Sequence, residues 1–143
     1  MRNVFKKLIL MGVAVTLAGI AEAKTFRYAT TGDVLGLDPH ANNEGPTNTM
    51  KGNLYGRLLH RKADLSLEPD LATKWEKLDA TTWRFSLRQG VKFHNGNDFN
   101  ADDVVFSYNR QTQESSDMSF ALATVKEVRK VDDHTVDIIT KGP

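Results

Sequence analysis

Residues Thr82–Gly96 read TWRFSLRQGVKFHNG. In an extended chain Trp83, Phe85 and Leu87 fall on one face and Arg84, Ser86 and Arg88 on the other, the period-two pattern of a strand with one buried side. Gln89-Gly90 turns the chain, Val91 and Phe93 resume the alternation, and Asn95-Gly96 turns it again. Downstream, Asn100 caps a helix over Ala101–Gln113, with Asp102 and Asp103 in the first turn, where the helix dipole favours negative charge. Glu114–Ser119 is polar and loop-like. Val125–Val131 and Thr135–Thr140 form a closing hairpin around Asp132-Asp133-His134, with Val136 and Ile138 on its buried face.

Upstream, Leu65-Ser66-Leu67-Glu68-Pro69 is short and extended, because the residue before a proline is pushed out of the α region. Asp70–Trp75 reads as one helical turn capped by Asp70. Met50, Leu54 and Leu58 recur every fourth residue, with Tyr55 and Leu59 widening the stripe, so a helix capped by Thr47 or Asn48 is expected there. Thr25–Thr30 alternates as a short strand and runs into a loop, Thr31–His40, that carries two glycines and an Asp-Pro; Ala41–Thr47 continues it. The order strand, helix, turn, hairpin, helix, hairpin is α+β. Lys141-Gly142-Pro143 follows a strand with no further element to cover its edge, and the opening strand lacks an obvious parallel partner. Small domains protect such edges, so the chain is expected to be part of a larger protein.

The chain has 143 residues, 19 Lys+Arg against 18 Asp+Glu, and no Cys. No disulfide framework, thiolate metal site or thiol nucleophile is available to it. A net charge of +1 shows none of the basic excess that marks nucleic-acid binders. Arg2, Lys6 and Lys7 precede the uncharged run Leu8–Ile20, and Ala21-Glu22-Ala23 offers small residues at a cleavage site. Together they form a secretory signal peptide covering 1–23, cut after Ala23. The rival reading, a membrane anchor, needs an apolar run of about 20 residues, and this one has 13. The exported chain then carries a net charge of −1, and the destination is the periplasm.

Chemistry is hard to find. His40, His60, His94 and His134 are scattered without metal-site spacing and read as surface or turn residues. Asp102 and Asp103, adjacent on a helix, diverge rather than share a substrate. Serine-elbow, phosphate-loop and dinucleotide motifs are missing, so no enzyme and no cofactor is expected. Trp75 and Trp83 read as core. The glycine-containing loops around Thr31-Gly32 and Asn43-Glu44-Gly45-Pro46 leave main-chain groups that can pair with an extended guest, in the manner of strand addition. A plain surface connection is the competing reading of both loops.

Several segments taken together resemble one family. They are Leu37-Asp38-Pro39-His40, Asn53–Leu59 (NLYGRLL), Leu67–Trp75 (LEPDLATKW), Thr82–Gly96 and Phe99–Ser107 (FNADDVVFS). The chain is similar over Lys24–Pro143 to the N-terminal part of the bacterial extracellular solute-binding proteins of family 5, the peptide- and nickel-binding group of ABC importers. The resemblance implies a two-lobed periplasmic-binding-protein architecture closing about a hinge. Residues 24–60 would start the first lobe, and an inserted α+β domain would occupy 61–143, with Trp75, Trp83, Phe85, Val91 and Phe93 in its core. It also implies a monomer that takes a small peptide or similar solute and hands it to membrane permease subunits. In oligopeptide-binding members a Glu-Gly segment after the Asp-Pro-His runs beside the bound peptide. The matching positions here are Glu44 and Gly45, between Asn43 and Pro46, although the spacing is one residue longer and Pro46 removes a donor. An exported structural or adaptor module of the same fold, with no small-molecule ligand, is the alternative.

Overall fold

The computed structural model describes Thr25, Arg27, Ala29 and residues 31–143. The order is helix α1 (Gly45–Leu54), strands β1 (Leu59–Arg61), β2 (Leu67–Pro69), β3 (Ala72–Lys77) and β4 (Thr82–Leu87), helix α2 (Ala101–Gln111), a 3-10 turn (Ser119–Leu122), then β5 (Val125–Asp132) and β6 (Thr135–Thr140). Strands β1 and β2 form a short antiparallel pair; the other four make an antiparallel sheet in the order β3-β4-β6-β5.

The expected strand Thr82–Leu87 lies inside that sheet. Phe85 sits opposite Trp75 on one side and Val136 on the other, and Ile138 sits opposite Trp83 and Val128. These side chains share one face with Leu87 and are covered by Ala101 and Val104 of α2, while Ala72 and Phe99 complete the core. Burying each large apolar side chain stabilises the fold by roughly 1.5–3 kcal/mol. Helix α2 begins as read: the Asn100 side chain accepts from Asp102 N–H, and Asp103 accepts from Asn100 N–H at 2.9 Å. The Ala101 N–H donates to Asp133 C=O, fixing the helix start on the β5–β6 turn.

On the opposite face, Glu76, Arg84, Asp137 and Arg129 stand in register across all four strands. Arg84 donates twice to Asp137, at 2.7 and 2.9 Å, and Arg129 donates once at 3.1 Å. Asp137 is only 1% exposed, and Arg84 in particular holds its carboxyl below the usual range.

Five expectations need correction. Asp70–Trp75 is not a helical turn; most of it is β3. Ala72 pairs with Leu87 and Lys74 with Ser86, so Thr73 is the extra residue of a bulge. The bulge puts Ala72 and Trp75 on one face three residues apart, which imitates helical spacing.

Val91 and Phe93 do not resume a strand. A single bridge joins Lys92 to Asp98, with Gly90 and Gly96 at positive φ in the turns. Phe93 is 45% exposed and meets Phe99 edge-on, so it lies outside the core. Helix α1 starts at Gly45, three or four residues earlier than a Thr47 or Asn48 cap allows, because Glu44 is the cap and Pro46 suits the first turn. The helix stops at Leu54, before Leu58 and Leu59 can join its stripe. It buries Thr47 and Lys51 and leaves Met50 and Leu54 exposed.

The last strand is not an edge: β6 lies between β4 and β5. Finally, Thr25, Arg27 and Ala29 lie in no strand, since a strand needs a paired neighbour. The rest of that expected strand and the expected signal peptide lie outside the described residues.

Candidate functional site

Residues 31–47 form the approach to α1, and most of the loop is pinned. Leu35 N–H donates to Thr47 Oγ1 at 3.0 Å, and Tyr55 Oη donates to Leu37 C=O at 2.6 Å. Asp38 accepts from both terminal nitrogens of Arg110, one of them at 2.8 Å, and from His40 N–H at 2.9 Å. The same guanidinium lies 3.0 Å from His40 Nδ1. The His40 carbonyl accepts from Ser116 Oγ at 3.1 Å, Asn42 N–H donates to Asp117 at 2.8 Å, and Lys51 donates to the carbonyls of Ala41 and Asn42.

Charge follows from this packing. The Arg110 guanidinium, and after it the His40 N–H, hold the Asp38 carboxyl far below the usual range. Burial, and after it the positive charge of Arg110, push the His40 imidazole below its ordinary value. His40 sits in a turn, one of the two readings made of it, and its side chain is buried rather than on the surface.

Beyond Asn42, a non-glycine residue at φ 57°, the pattern changes. Among the described residues the N–H groups of Asn43, Glu44 and Gly45 have no hydrogen-bond partner. Glu44 accepts from Thr47 N–H through Oε2 at 3.2 Å, while its Oε1 is enclosed and unpaired. Asn43 Oδ1 accepts from Asn48, and a Cβ added at Gly45 would meet open space. Thr31 and Gly32 are exposed, and the chain there passes close to α1, since a Cβ on Gly32 would stand 3.4 Å from Pro46 Cγ. The structure thus brings Gly32 to Pro46, and it makes Glu44, Gly45 and Pro46 the cap and first turn of a helix rather than an extended ribbon.

Two open clefts lie nearby. One, about 550 Å³, runs between Leu37–His40 and α2, with Tyr55, Phe106 and Arg110 in its walls. The other, about 720 Å³ and mainly apolar, opens between Leu54–Leu59, Val91–His94 and α2. Thr31, Gly32, Asn43, Glu44, Gly45 and Pro46 line neither. Among the described residues no three metal-ligating side chains gather to hold a cation. Sequence reasoning missed Lys51, Arg110, Ser116 and Asp117, the residues that hold the loop; three of the four lie at least 72 positions from their partners, where no local pattern reports them.

Comparison with known proteins settles the family. Residues 66–143 match the model of the bacterial extracellular solute-binding proteins, family 5 (middle region). The chain belongs to this family. It is 35% identical to the dipeptide-binding protein of Escherichia coli K12, over 96% of this chain and 30% of that protein. It is 36% identical to heme-binding protein A of Haemophilus influenzae, over 87% of this chain and 27% of that protein. Among solved structures, MoaA of A. tumefaciens R10, in complex with mannopinic acid, superposes with a TM-score of 0.70 at 35% identity, covering 76% of this chain and 24% of that one. The α+β chain therefore falls within the two-lobed periplasmic-binding-protein architecture, and it spans about a third or less of the length of these relatives.

Proposed function

We propose that this chain supplies part of a periplasmic receptor that captures a peptide or similar small solute and delivers it to the permease subunits of an ABC importer, with no chemistry of its own. It is exported by a signal peptide cut after Ala23 and acts as a monomer. Residues 24–60 open the first lobe, and 61–143 belong to the inserted domain. The observation that supports solute capture is the run of three amides, at Asn43, Glu44 and Gly45, that have no partner among the described residues and stand at the positive end of α1 on a loop that is otherwise tied down. A peptide's carbonyls or its terminal carboxylate suit such donors. The absent Cβ at Gly45 lets a guest backbone approach. Thr31 and Gly32 flank the same stretch, and Pro46 closes it. The names of the relatives span dipeptides, heme and mannopinic acid, so peptide is the first class to test.

The test is Gly45→Leu in the protein made from its whole reading frame. Wild type should gain thermal stability with dialanine or trialanine, by about 3–4 kcal/mol at saturation for tight binding. Gly45→Leu should keep the ligand-free melting temperature, because the new side chain meets open space, and lose most of the peptide shift. No shift of wild type with dipeptide, tripeptide, metal-chelate or sugar libraries overturns the reading and favours the adaptor module.

A further inference from the structure

We propose that the end of α2 and the turn after it act as a clamp that positions the solute-binding loop, with Arg110, Ser116 and Asp117 as positioning residues; this rests on the receptor reading above. The three make separate contacts 72 to 76 residues away in sequence: Arg110 to Asp38, Ser116 to His40 C=O and Asp117 to Asn42 N–H. The Ser116 and His40 residues are buried, so this bond is shielded from water.

The last contact sets the geometry of the binding stretch. A peptide unit is planar, so fixing its C=O fixes the direction of the next N–H. The unit between Ala41 and Asn42 is held from both sides, its C=O by Lys51 and its N–H by Asp117. The unit between Asn42 and Asn43 is held by Lys51 through the Asn42 C=O. The Asn43 N–H, the first of the three free amides, shares that plane and is aimed by it. Asn42 itself takes the left-handed conformation, φ 57°, which a non-glycine residue adopts at a cost and keeps when its surroundings hold it. Release of the Asp117 contact therefore loosens the Asn42 turn that directs the Asn43 amide, the entry to the binding stretch.

The experiment compares Asp117→Ala with Asp117→Asn, whose amide oxygen still accepts from Asn42 N–H. Three quantities are read: amide exchange at residues 42–45, trialanine affinity by calorimetry, and the melting temperature. In Asp117→Ala, exchange at Asn42 should rise at least about tenfold and trialanine should bind about tenfold more weakly, a change of about 1.4 kcal/mol, while the melting temperature holds. Asp117→Asn should restore both. Should Asp117→Ala melt early, Ser116→Ala is read in the same way. Unchanged trialanine affinity in a loosened loop overturns the clamp and leaves the receptor reading standing. Equal loss in Asp117→Ala and Asp117→Asn also overturns it. If wild type binds no peptide, the receptor reading falls, and the clamp stands or falls on exchange alone: unchanged protection of Asn42 in Asp117→Ala overturns it.

Discussion

Between Leu58 and Thr140 the chain builds an apolar core, with Phe85, Leu87, Val136 and Ile138 of the sheet packed under Val104 of α2, although Leu65, Phe106 and Phe120 stay exposed. From Thr31 to Leu54 the buried residues are His40, Thr47 and Lys51, and Leu35, Leu37, Met50 and Leu54 stay exposed. The first region is held by apolar burial, which is non-directional and sums over many contacts. The second is held by a few directional hydrogen bonds, several of them anchored in the first. Elements of this second kind open at lower free energy, and binding loops are commonly drawn from them. The sheet supplies the rigid frame, and in the function proposed above the loop supplies the groups that meet a guest.

The largest effects should come from the sheet. Phe85→Ala removes the side chain between Trp75 and Val136 and should cost about 3–5 kcal/mol in urea unfolding. A cost below about 1 kcal/mol would show that the sheet core is not what supports the chain. Acid should act next, through Asp137. Its carboxyl is held below the ordinary value chiefly by Arg84, so the unfolded chain takes up the proton first. The stability it contributes is complete above the unfolded carboxylate pKa of about 4 and is lost as pH falls below it. Asp137→Asn should flatten the acid limb of the stability curve and lower the neutral plateau.

The two regions also differed in how far the sequence revealed them. Strand β4 and the Asn100 cap of α2 were legible because their signals are local: an alternation of six residues and a capping side chain just ahead of an acidic first turn. Segment Asp70–Trp75 misled because the bulge at Thr73 gave strand residues the spacing of a helix. The start of α1 was misplaced because Thr47 and Asn48 are better caps by residue type than Glu44, and Pro46 decided the matter. At the candidate site, the family resemblance pointed to Glu44 and Gly45, but no local pattern showed that they cap and open α1. The tethers that shape the loop were invisible, because Arg110 and Asp117 meet it across more than 70 residues of chain.

Helix caps give a finer comparison. Asn100→Ala breaks the capping box of α2, which covers the core, and should lower global stability by about 1 kcal/mol in chemical denaturation. Glu44→Ala removes the cap of α1, which buries only Thr47 and Lys51. Its effect should be confined to faster amide exchange in Thr47–Asn48, with the global unfolding midpoint unmoved. Equal loss of global stability in the two variants would mean that α1 belongs to the same cooperative unit as the sheet.

The smallest expected effect separates the regions by pH. His40 is faced by Arg110, Asp38 and Lys51, and burial first, then Arg110, keeps its imidazole below the ordinary value while the charge of Asp38 partly opposes them. A base whose value is lowered in the closed form binds its proton more readily when the loop opens. Closure therefore loses stability as pH falls below about 6.5, the ordinary histidine value. Exchange at the amides of His40, Ala41 and Asn42, corrected for its intrinsic pH dependence, should rise between about pH 7 and 5.5, and His40→Gln should abolish the rise. Over that interval the amides of β4 and β6 should keep their protection, because Asp137 takes up its proton only at more acid pH. Opening of loop and sheet at one common pH would show that a single cooperative unit spans them, and that the polar tethers transmit the stability of the core rather than merely borrow its surface.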